Sequence, residues 1–377
     1  VWDGKPLRAF GVSYMASSNI AFDGGMGGYN WEQYVSRSAY DPDVCLNDLL
    51  RIREIGYNAV ALFVYYDTAK QSKNMLHLLE MCDRLGLVVD LALRPYFPLE
   101  HDGRDRPIAD TIRVLHLEEL DYIIGYDIAW EQCVGSYAGS YGSVPGGRRM
   151  FDPAWIRWVK DSYGTLENAE AAWGVKLPEN DGAYTCPSDA MLEQDGPHRA
   201  MVAAYRRFAD EFVAEKHMVF REMIRRADRR HMISARTNYS GIPKFSPSAM
   251  AYDFQSLALP FDYLSPEYYG RYEDIPSLAF TNVYARFARP DAPVVWKEFG
   301  VGVWDGSNFP QGDGRQKAEL LQRQADYCEA MYKMAVAAHT GAIYYWFFPS
   351  GYRPGENSDH GVLNPDGSDR PITRVVR

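Results

Sequence analysis

The chain has 377 residues, 46% of them apolar and 24% charged, which is typical of a globular protein and excludes a disordered or membrane-spanning chain. Its net charge of −10 and its scattered basic residues argue against a nucleic-acid or anionic-membrane partner, since both require a basic stripe. A neutral substrate fits this charge balance best.

The cysteines and the amino terminus add two expectations. The five cysteines are widely spaced and form no C-x-x-C pair, so the sequence predicts neither a disulfide framework nor a zinc site. No charged and apolar leader precedes the first predicted strand, which favours a cytoplasmic protein. A secreted or periplasmic protein whose signal peptide had been removed would show the same pattern.

Strand and helix patterns alternate in the first quarter of the chain. Three strands are predicted there, over residues 8–15, 58–65 and 87–94. One intervening helix begins at Asp41-Pro42-Asp43 and ends at Gly56, and a second has apolar residues at helical spacing and ends at Gly86. This repeat of roughly thirty residues is the βαβ pattern of a parallel sheet.

Five more strands follow, and together they predict an α/β fold, a (β/α)8 TIM barrel. They are predicted over residues 122–131, 232–238, 261–268, 293–298 and 342–348. A long insertion of about residues 133–197 follows strand four, with a helical piece near 155–173, and the longest helix is predicted over about 200–229. No repeat or change in composition indicates a second domain, so residues 1–377 are predicted to form one barrel domain.

Two glutamates stand at the ends of predicted strands, Glu131 on strand four and Glu298 on strand seven. A closed parallel barrel gathers the carboxyl ends of its strands on one face, so the two side chains can converge. Two carboxylates about 5 to 5.5 Å apart are what a retaining glycosidase uses, one as acid and then base, the other as nucleophile. We therefore predict Glu131 as the acid/base and Glu298 as the nucleophile.

Other strand-end residues could bind substrate or support the nucleophile. Arg94 would keep Glu298 ionised, Tyr268 or Tyr269 could donate a hydrogen bond to it, and Trp346 would form a platform for a sugar ring. The remaining predicted substrate-binding residues are Tyr14, Trp130 and Glu267.

Alternatives exist for both glutamates. Asp127 lies on the same side of its strand as Glu131, but its deeper position favours a structural hydrogen-bonding role. Glu267 competes with Glu298, or it contacts a sugar hydroxyl instead. His101 and His360 lie in loops that could reach the site, without a second ligand at metal-binding spacing, so no metal and no cofactor are predicted.

These stretches resemble a known group of enzymes, the clan A glycoside hydrolases. Residues 293–300 resemble the nucleophile strand of that clan, Trp346 its strand-eight tryptophan, and 359–367 the loop and final strand that close such barrels. Residues 93–95 and 155–174 are similar to the catalytic domain of family 42 and 35 β-galactosidases. The resemblance implies an acid/base on strand four, a nucleophile on strand seven and a retaining mechanism.

One position departs from the clan and leaves the substrate open. Most members have Asn before the acid/base glutamate, where this chain has Trp130, and some mannan-active members also lack that Asn. The resemblance favours an exo-acting, β-galactosidase-like enzyme for oligosaccharides or glycosides. An endo-acting β-mannanase or glucanase and a non-catalytic carbohydrate-binding barrel are the alternatives. The sequence indicates no oligomeric state and does not separate hydrolysis from transglycosylation.

Overall fold

A computed structural model gives the fold. It describes residues 7–17, 34–37, 39–64, 68–93, 107–129, 147–237, 253–303, 317–349 and 358–377.

Eight parallel strands form the centre of the described structure. They are β1 Ala9–Tyr14, β2 Ala59–Val64, β3 Val88–Leu93, β4 Ile123–Asp127, β5 in two pieces, Met232–Ser234 and Arg236–Thr237, β6 Ser265–Tyr268, β7 Val295–Phe299 and β8 Ala342–Phe348. Successive strands pair in the order β5-β4-β3-β2-β1-β8-β7-β6-β5. The sheet closes because its two edges are the two pieces of β5, which are separated only by Ala235. The predicted (β/α)8 barrel is confirmed.

Helices surround this barrel. In chain order they are α1 Pro42–Ile55, α2 Thr68–Arg84, α3 Pro107–Leu115, α4 Asp152–Tyr163, α5 Leu166–Trp173, α6 Asp189–Glu193, α7 Arg199–Ala227, α8 Phe254–Leu257, α9 Leu278–Ala288, α10 Ala318–Ala337 and α11 Ile372–Val376. A two-stranded antiparallel hairpin, Glu179–Asn180 with Ala183–Tyr184, precedes α6. Among the described helices, none is long and apolar enough to cross a membrane.

Local sequence explains the bounds of α1. The carboxylate of Asp41 accepts hydrogen bonds from the backbone N–H groups of Asp43 and Val44, and Pro42 occupies the first turn, where its missing N–H costs nothing. Gly56 ends the helix with φ of 117°, a left-handed conformation that glycine adopts without a steric penalty. Both ends agree with the sequence.

Some strands differ in length from the sequence prediction. β4 ends at Asp127, although the backbone remains bonded to β5 as far as Ala129, whose carbonyl accepts from the N–H of Arg236 at 2.9 Å. β6 starts later than predicted because the N–H of Phe261 donates to the carbonyl of Leu257, which closes a turn after α8.

Small residues in the barrel interior make room for large ones on neighbouring strands. Gly11 of β1 pairs with Tyr344 of β8, and a Cβ atom at Gly11 would lie 2.2 Å from the Tyr344 ring. Any side chain at Gly11 would therefore displace that ring. The interior is consequently filled by alternating small and large residues, as close packing requires.

A second packed region, which we call the aromatic cluster, lies between α4, α5 and α7. Its members are Trp155, Trp158, Trp173, Tyr205 and Phe208. Trp155 is fully buried and stacks between the other two tryptophans, with ring centroids 5.5 and 5.8 Å away. This cluster fixes α4 and α5 against α7, the longest described helix, which leads back into β5.

Candidate active site

β7 carries the candidate nucleophile, and its outward-facing residues show how the strand is oriented. The indole N–H of Trp296 donates to Asn282 of α9 at 3.3 Å, and Phe299 packs edge-on against Tyr332 of α10. Both side chains therefore point away from the barrel axis, although they are three positions apart in the strand. Strict alternation would place them on opposite faces.

A bulge in β7 explains this and brings two charged residues to the interior. The register with β8 shifts between Trp296 and Phe299, so one extra residue is accommodated in β7. As a result, the consecutive residues Lys297 and Glu298 both face inward, where Lys297 contacts Asp90 and Glu298 contacts Arg236. The bulge allows a buried cation and a buried carboxylate to lie next to each other in sequence.

Arg236 holds one oxygen of the candidate nucleophile. Its Nη1 donates to Oε2 of Glu298, and its Nε donates to Oδ2 of Asp127 at 2.5 Å. The guanidinium also lies over the Phe63 ring, 4.9 Å from the centroid. Burial opposes the charge of Arg236, but Asp127 and then Glu298 outweigh it and raise its pKa well above the ordinary value. Arg236 is therefore a permanent cation beside Glu298.

Tyr269 holds the other oxygen of the same carboxylate, with its hydroxyl donating to Oε1 of Glu298. Glu298 is 3% exposed, so few positions remain for water around it. A cation on one oxygen and a hydroxyl donor on the other favour the ionised form of a carboxylate and fix its plane. Those are the properties that a carboxylate nucleophile needs.

A second layer of charges lies deeper in the barrel. Nζ of Lys297 is 2.8 Å from Oδ1 of Asp90 and 3.9 Å from Oδ2 of Asp127, and the Tyr263 hydroxyl donates to Asp90 at 3.1 Å. Burial raises the pKa of Asp90, and Lys297 lowers it in part. We call Asp90, Asp127, Arg236, Lys297 and Glu298 the barrel charge network.

Two more of the predicted site residues lie at this end of the barrel. Glu267 of β6 is the direct partner of Glu298 of β7 in the strand register, and it is 2% exposed. Its charge contributes to the raised pKa of Arg236. Trp346 packs edge-on against Phe63, whose face lies under the Arg236 guanidinium. The structure thus brings Glu267 and Trp346 together with Glu298.

Two other predicted substrate-binding residues, Tyr268 and Tyr14, make their described contacts away from Glu298. The Tyr268 hydroxyl donates to the backbone carbonyl of Arg271 at 2.8 Å, and its ring stacks on Tyr327 of α10. The Tyr14 hydroxyl donates to Asp48 of α1 at 3.2 Å, on the helix side of β1. Their roles in binding substrate stay predictions. The remaining predicted residues lie outside the described residues: Arg94, His101, Trp130 and Glu131.

Sequence reasoning missed Arg236, Lys297 and Asp90. Arg236 carries a signal that could have been used, because it follows the mostly apolar stretch Met232-Ile233-Ser234-Ala235 at a strand end, the same pattern that drew attention to Arg94. Lys297 and Asp90 carry none, since a charged residue inside a strand reads as solvent-facing unless the bulge is known. Asp127 has the structural hydrogen-bonding role that its depth predicted.

Other features of the described residues do not extend this site. His116, Glu118 and Glu119 lie close enough to share a metal ion, but they are not buried and they precede β4, at the amino-terminal end of the barrel. A cavity of about 450 Å3 opens at that end as well, and Asp121 is the one carboxylate among its described lining residues. Neither feature offers the pair of converging acids that glycoside cleavage requires.

Comparison with solved structures gives the same architecture. The chain is similar to the β-galactosidase of the Antarctic haloarchaeon Halorubrum lacusprofundi, with a TM-score of 0.63 and 14% identity over 98% of this chain and 57% of that one. A cold-adapted β-galactosidase from Rahnella sp. R3 has a TM-score of 0.57 at 16% identity, over 89% of this chain and 52% of that one. The fold is that of the β-galactosidase barrels.

A third solved structure with a similar fold is a mannanase. The endo-1,4-β-mannanase of Rhizomucor miehei has a TM-score of 0.53 at 10% identity, over 92% of this chain and 88% of that one. The chain spans little more than half the length of the two β-galactosidases. No protein-family model and no curated protein matches the sequence. At these identities the similarity concerns the fold.

Proposed function

We propose that the protein is a retaining glycoside hydrolase that cleaves β-linked glycosides or oligosaccharides, with Glu298 as nucleophile and Glu131 as acid/base. The observation that carries the proposal is the Glu298 carboxylate, buried at the carboxyl end of β7 and held by Arg236 on one oxygen and Tyr269 on the other. Two hydrogen-bond donors thus hold a carboxylate at the end of the barrel where substrates of such barrels bind.

The reaction would run in two displacements. An oxygen of Glu298 attacks the anomeric carbon while the glycosidic oxygen leaves with the proton of Glu131, which forms a glycosyl-enzyme ester. A water molecule then attacks the same carbon, giving its proton to the Glu131 carboxylate and releasing Glu298. In the first step Glu298 loses its charge, so Arg236 and Tyr269 then stabilise it as the leaving group of the second step.

For the substrate we propose an exo-acting, β-galactosidase-like activity. Support comes from the fold similarity to two β-galactosidases and from Trp346 and Glu267, which lie beside the nucleophile and offer an aromatic face and a hydroxyl acceptor. The mannanase with a similar fold makes an endo-acting enzyme the second candidate. Both candidates share the same two carboxylates and differ only in the length of glycan they accept.

A panel of 4-nitrophenyl β-glycosides tests the activity and the sugar together. We expect release of 4-nitrophenol from one sugar above the others, with the galactoside first. Soluble β-mannan and β-glucan fragments are assayed in parallel. Cleavage of these fragments without release of 4-nitrophenol from any glycoside would indicate the endo-acting enzyme. Silence on both substrate sets would contradict the proposal.

Azide rescue assigns the two roles. Glu298→Gly should lose about 10,000-fold or more of the rate, and azide should restore reaction with the inverted α-glycosyl azide as product. Glu131→Ala should give the β-glycosyl azide, because the glycosyl-enzyme still forms. Glu267→Gln is the matched control, since it neutralises the register partner of Glu298 and leaves the ester-forming carboxylate in place. Rescue with inversion in Glu267→Gln instead would move the nucleophile to β6.

A further inference from the structure

The barrel charge network forms a continuous chain of alternating charges from β3 to β7. Asp90 bonds to Lys297 at 2.8 Å, Lys297 lies 3.9 Å from Asp127, and Asp127 accepts from Nε of Arg236 at 2.5 Å. Arg236 then donates to Glu298. All five side chains are buried, so their charges act on one another with little screening by water.

Lys297 occupies a particular place in this chain. It is fully buried and reaches the interior only because of the bulge that also turns Glu298 inward. Among the described residues its partners are Asp90 and Asp127, and no hydrogen bond joins it to Glu298. Its cation balances Asp127, which would otherwise compete with Glu298 for the charge of Arg236.

We propose that Lys297, with Asp90, is a positioning pair that sets the charge on Asp127 and thereby leaves the Arg236 cation available to Glu298. This proposal rests on the proposed function, because it assigns Lys297 a role in keeping the nucleophile ionised. Lys297 is a positioning residue rather than a catalytic one: it acts through Asp127 and Arg236 and touches no reacting atom.

Every charged or titratable group that faces Lys297 among the described residues enters the expected pH response. They are Asp90 on β3, Asp127 on β4, Arg236 on β5, Tyr263 just before β6 and Tyr344 on β8. Burial, then Asp90, raises the pKa of both tyrosines well above the ordinary value, so they stay neutral across the working range. The carboxylates and the two cations therefore carry the response.

Removing either member of the pair should shift the acid limb of the pH profile, in opposite directions. Lys297→Met removes a positive charge, so the nucleophile takes up its proton at a higher pH and the midpoint of the acid limb of kcat/KM moves up by about one pH unit. Asp90→Asn removes a negative charge, so the midpoint of the acid limb moves to lower pH. The double variant Asp90→Asn/Lys297→Met removes one of each and should return the limb to within a few tenths of a unit of the parent protein.

The measurement is kcat/KM against pH for the parent and these three variants, with the best substrate of the glycoside panel. Lys333→Met is the control, because Lys333 pairs with Glu329 on the exposed face of α10 and should leave the profile unmoved. Shifts of opposite sign, cancelled in the double variant, support the proposal. An unmoved limb in Lys297→Met, or a double variant as impaired as Lys297→Met, overturns it, because a purely structural pair would lower the rate without moving the limb.

A second measurement needs no turnover and separates this proposal from the proposed function. The free energy of unfolding in urea is compared for the parent, Lys297→Met, Glu298→Gln and the double variant of these two. If Arg236 is shared between Asp127 and Glu298, the loss of Lys297 should cost clearly less once Glu298 is neutral. Equal costs in both backgrounds would overturn the coupling, whereas coupling without turnover on any glycan would overturn only the proposed function. Should Lys297→Met fail to fold, Asp90→Asn and the neutral Asp90→Asn/Lys297→Met pair still give the sign of the limb shift.

Discussion

The barrel charge network and the aromatic cluster are two buried regions of the described structure, one built from charged side chains and the other mainly from aromatic rings. In the barrel, Arg236 and Lys297 are fully buried with carboxylates as their partners. In the aromatic cluster, Trp155 is equally buried but lies among other rings. The indole N–H of Trp155 has no hydrogen-bond acceptor among the described residues, so the centre of the cluster is held by ring contacts. At its sides, Trp158 donates to Glu211 and Trp173 donates to Tyr163.

The two kinds of packing suit different purposes, a reactive site for the charges and stability of the fold for the rings. Burying a charge costs free energy that apolar packing would not, so a chain of buried charges is a poor way to stabilise a fold. Such a chain does hold a carboxylate ionised in a fixed orientation, which apolar packing cannot do. The stacked rings at the centre of the aromatic cluster, in contrast, contribute stability that depends little on pH and salt. We therefore expect damage to the two regions to have different signatures.

The largest effect should come from Arg236→Gln. The change leaves Asp127 and Glu298 buried without their shared cation, so we expect a loss of about 3–5 kcal/mol in the free energy of unfolding near neutral pH. The rate should fall by about 100- to 1,000-fold, because the leaving carboxylate loses its main stabilising charge. Urea unfolding and kcat on the glycoside panel measure the two losses.

A matched arginine on the outside of the barrel serves as the control. Arg221 of α7 pairs with Asp262 at 2.7 Å, and Asp262 keeps a second partner in Arg225. Arg221→Gln should cost only about 1 kcal/mol and leave kcat within about twofold. If Arg236→Gln were as mild as this control, the barrel charge network would not be the source of the activity.

The next largest effect is expected for Trp155→Ala in the aromatic cluster. Removing the central ring of the stack should cost about 3 kcal/mol, and the loss should be the same at acid and alkaline pH because no charge is involved. Trp155→Phe should cost less, since it keeps a ring and gives up no hydrogen bond. A strongly pH-dependent loss would show that the two regions are not as distinct as their composition indicates.

The contrast between the two regions also explains which features could be predicted from the sequence. The eight strands and the ends of α1 were predictable, because apolar alternation, Asp41 and Gly56 act through local physics. The place of Glu298 near the end of β7 was predictable, because the carboxyl ends of barrel strands all meet on one face. Arg236, Lys297 and Asp90 depend on contacts between residues that are far apart in the chain, and on a one-residue bulge that no local pattern reveals.

His217 of α7 packs edge-on against Phe261, and we expect a smaller, pH-dependent effect from this residue. Burial lowers its pKa to about 4 from the usual 6.5, because the charged ring would be desolvated. A histidine with a depressed folded pKa costs nothing at neutral pH and destabilises the fold as the pH falls, since the unfolded chain binds the proton more tightly. The loss should be about 2 kcal/mol between pH 7 and pH 5.

His217→Gln should remove that part of the pH dependence and keep an N–H donor for the Val213 carbonyl, which the ring contacts at 2.7 Å. His77→Gln is the control, because His77 is exposed and should leave the slope unchanged. Unfolding free energies at the two pH values give the slope for each variant. An unaltered slope in His217→Gln would mean that this histidine is not held neutral.

The smallest expected effect is that of Arg207→Gln, which tests whether any charge matters to the aromatic cluster. The Arg207 guanidinium lies 5.2 Å from the Trp158 ring centroid, and 65% of its side chain is exposed. An exposed cation over an aromatic face contributes about 0.5–1 kcal/mol, and added salt weakens it. We expect a loss of that size at low salt, no change in kcat, and no dependence on pH between 5 and 9. A loss as large as that of Arg236→Gln would show instead that the cluster depends on charge, as the barrel interior does.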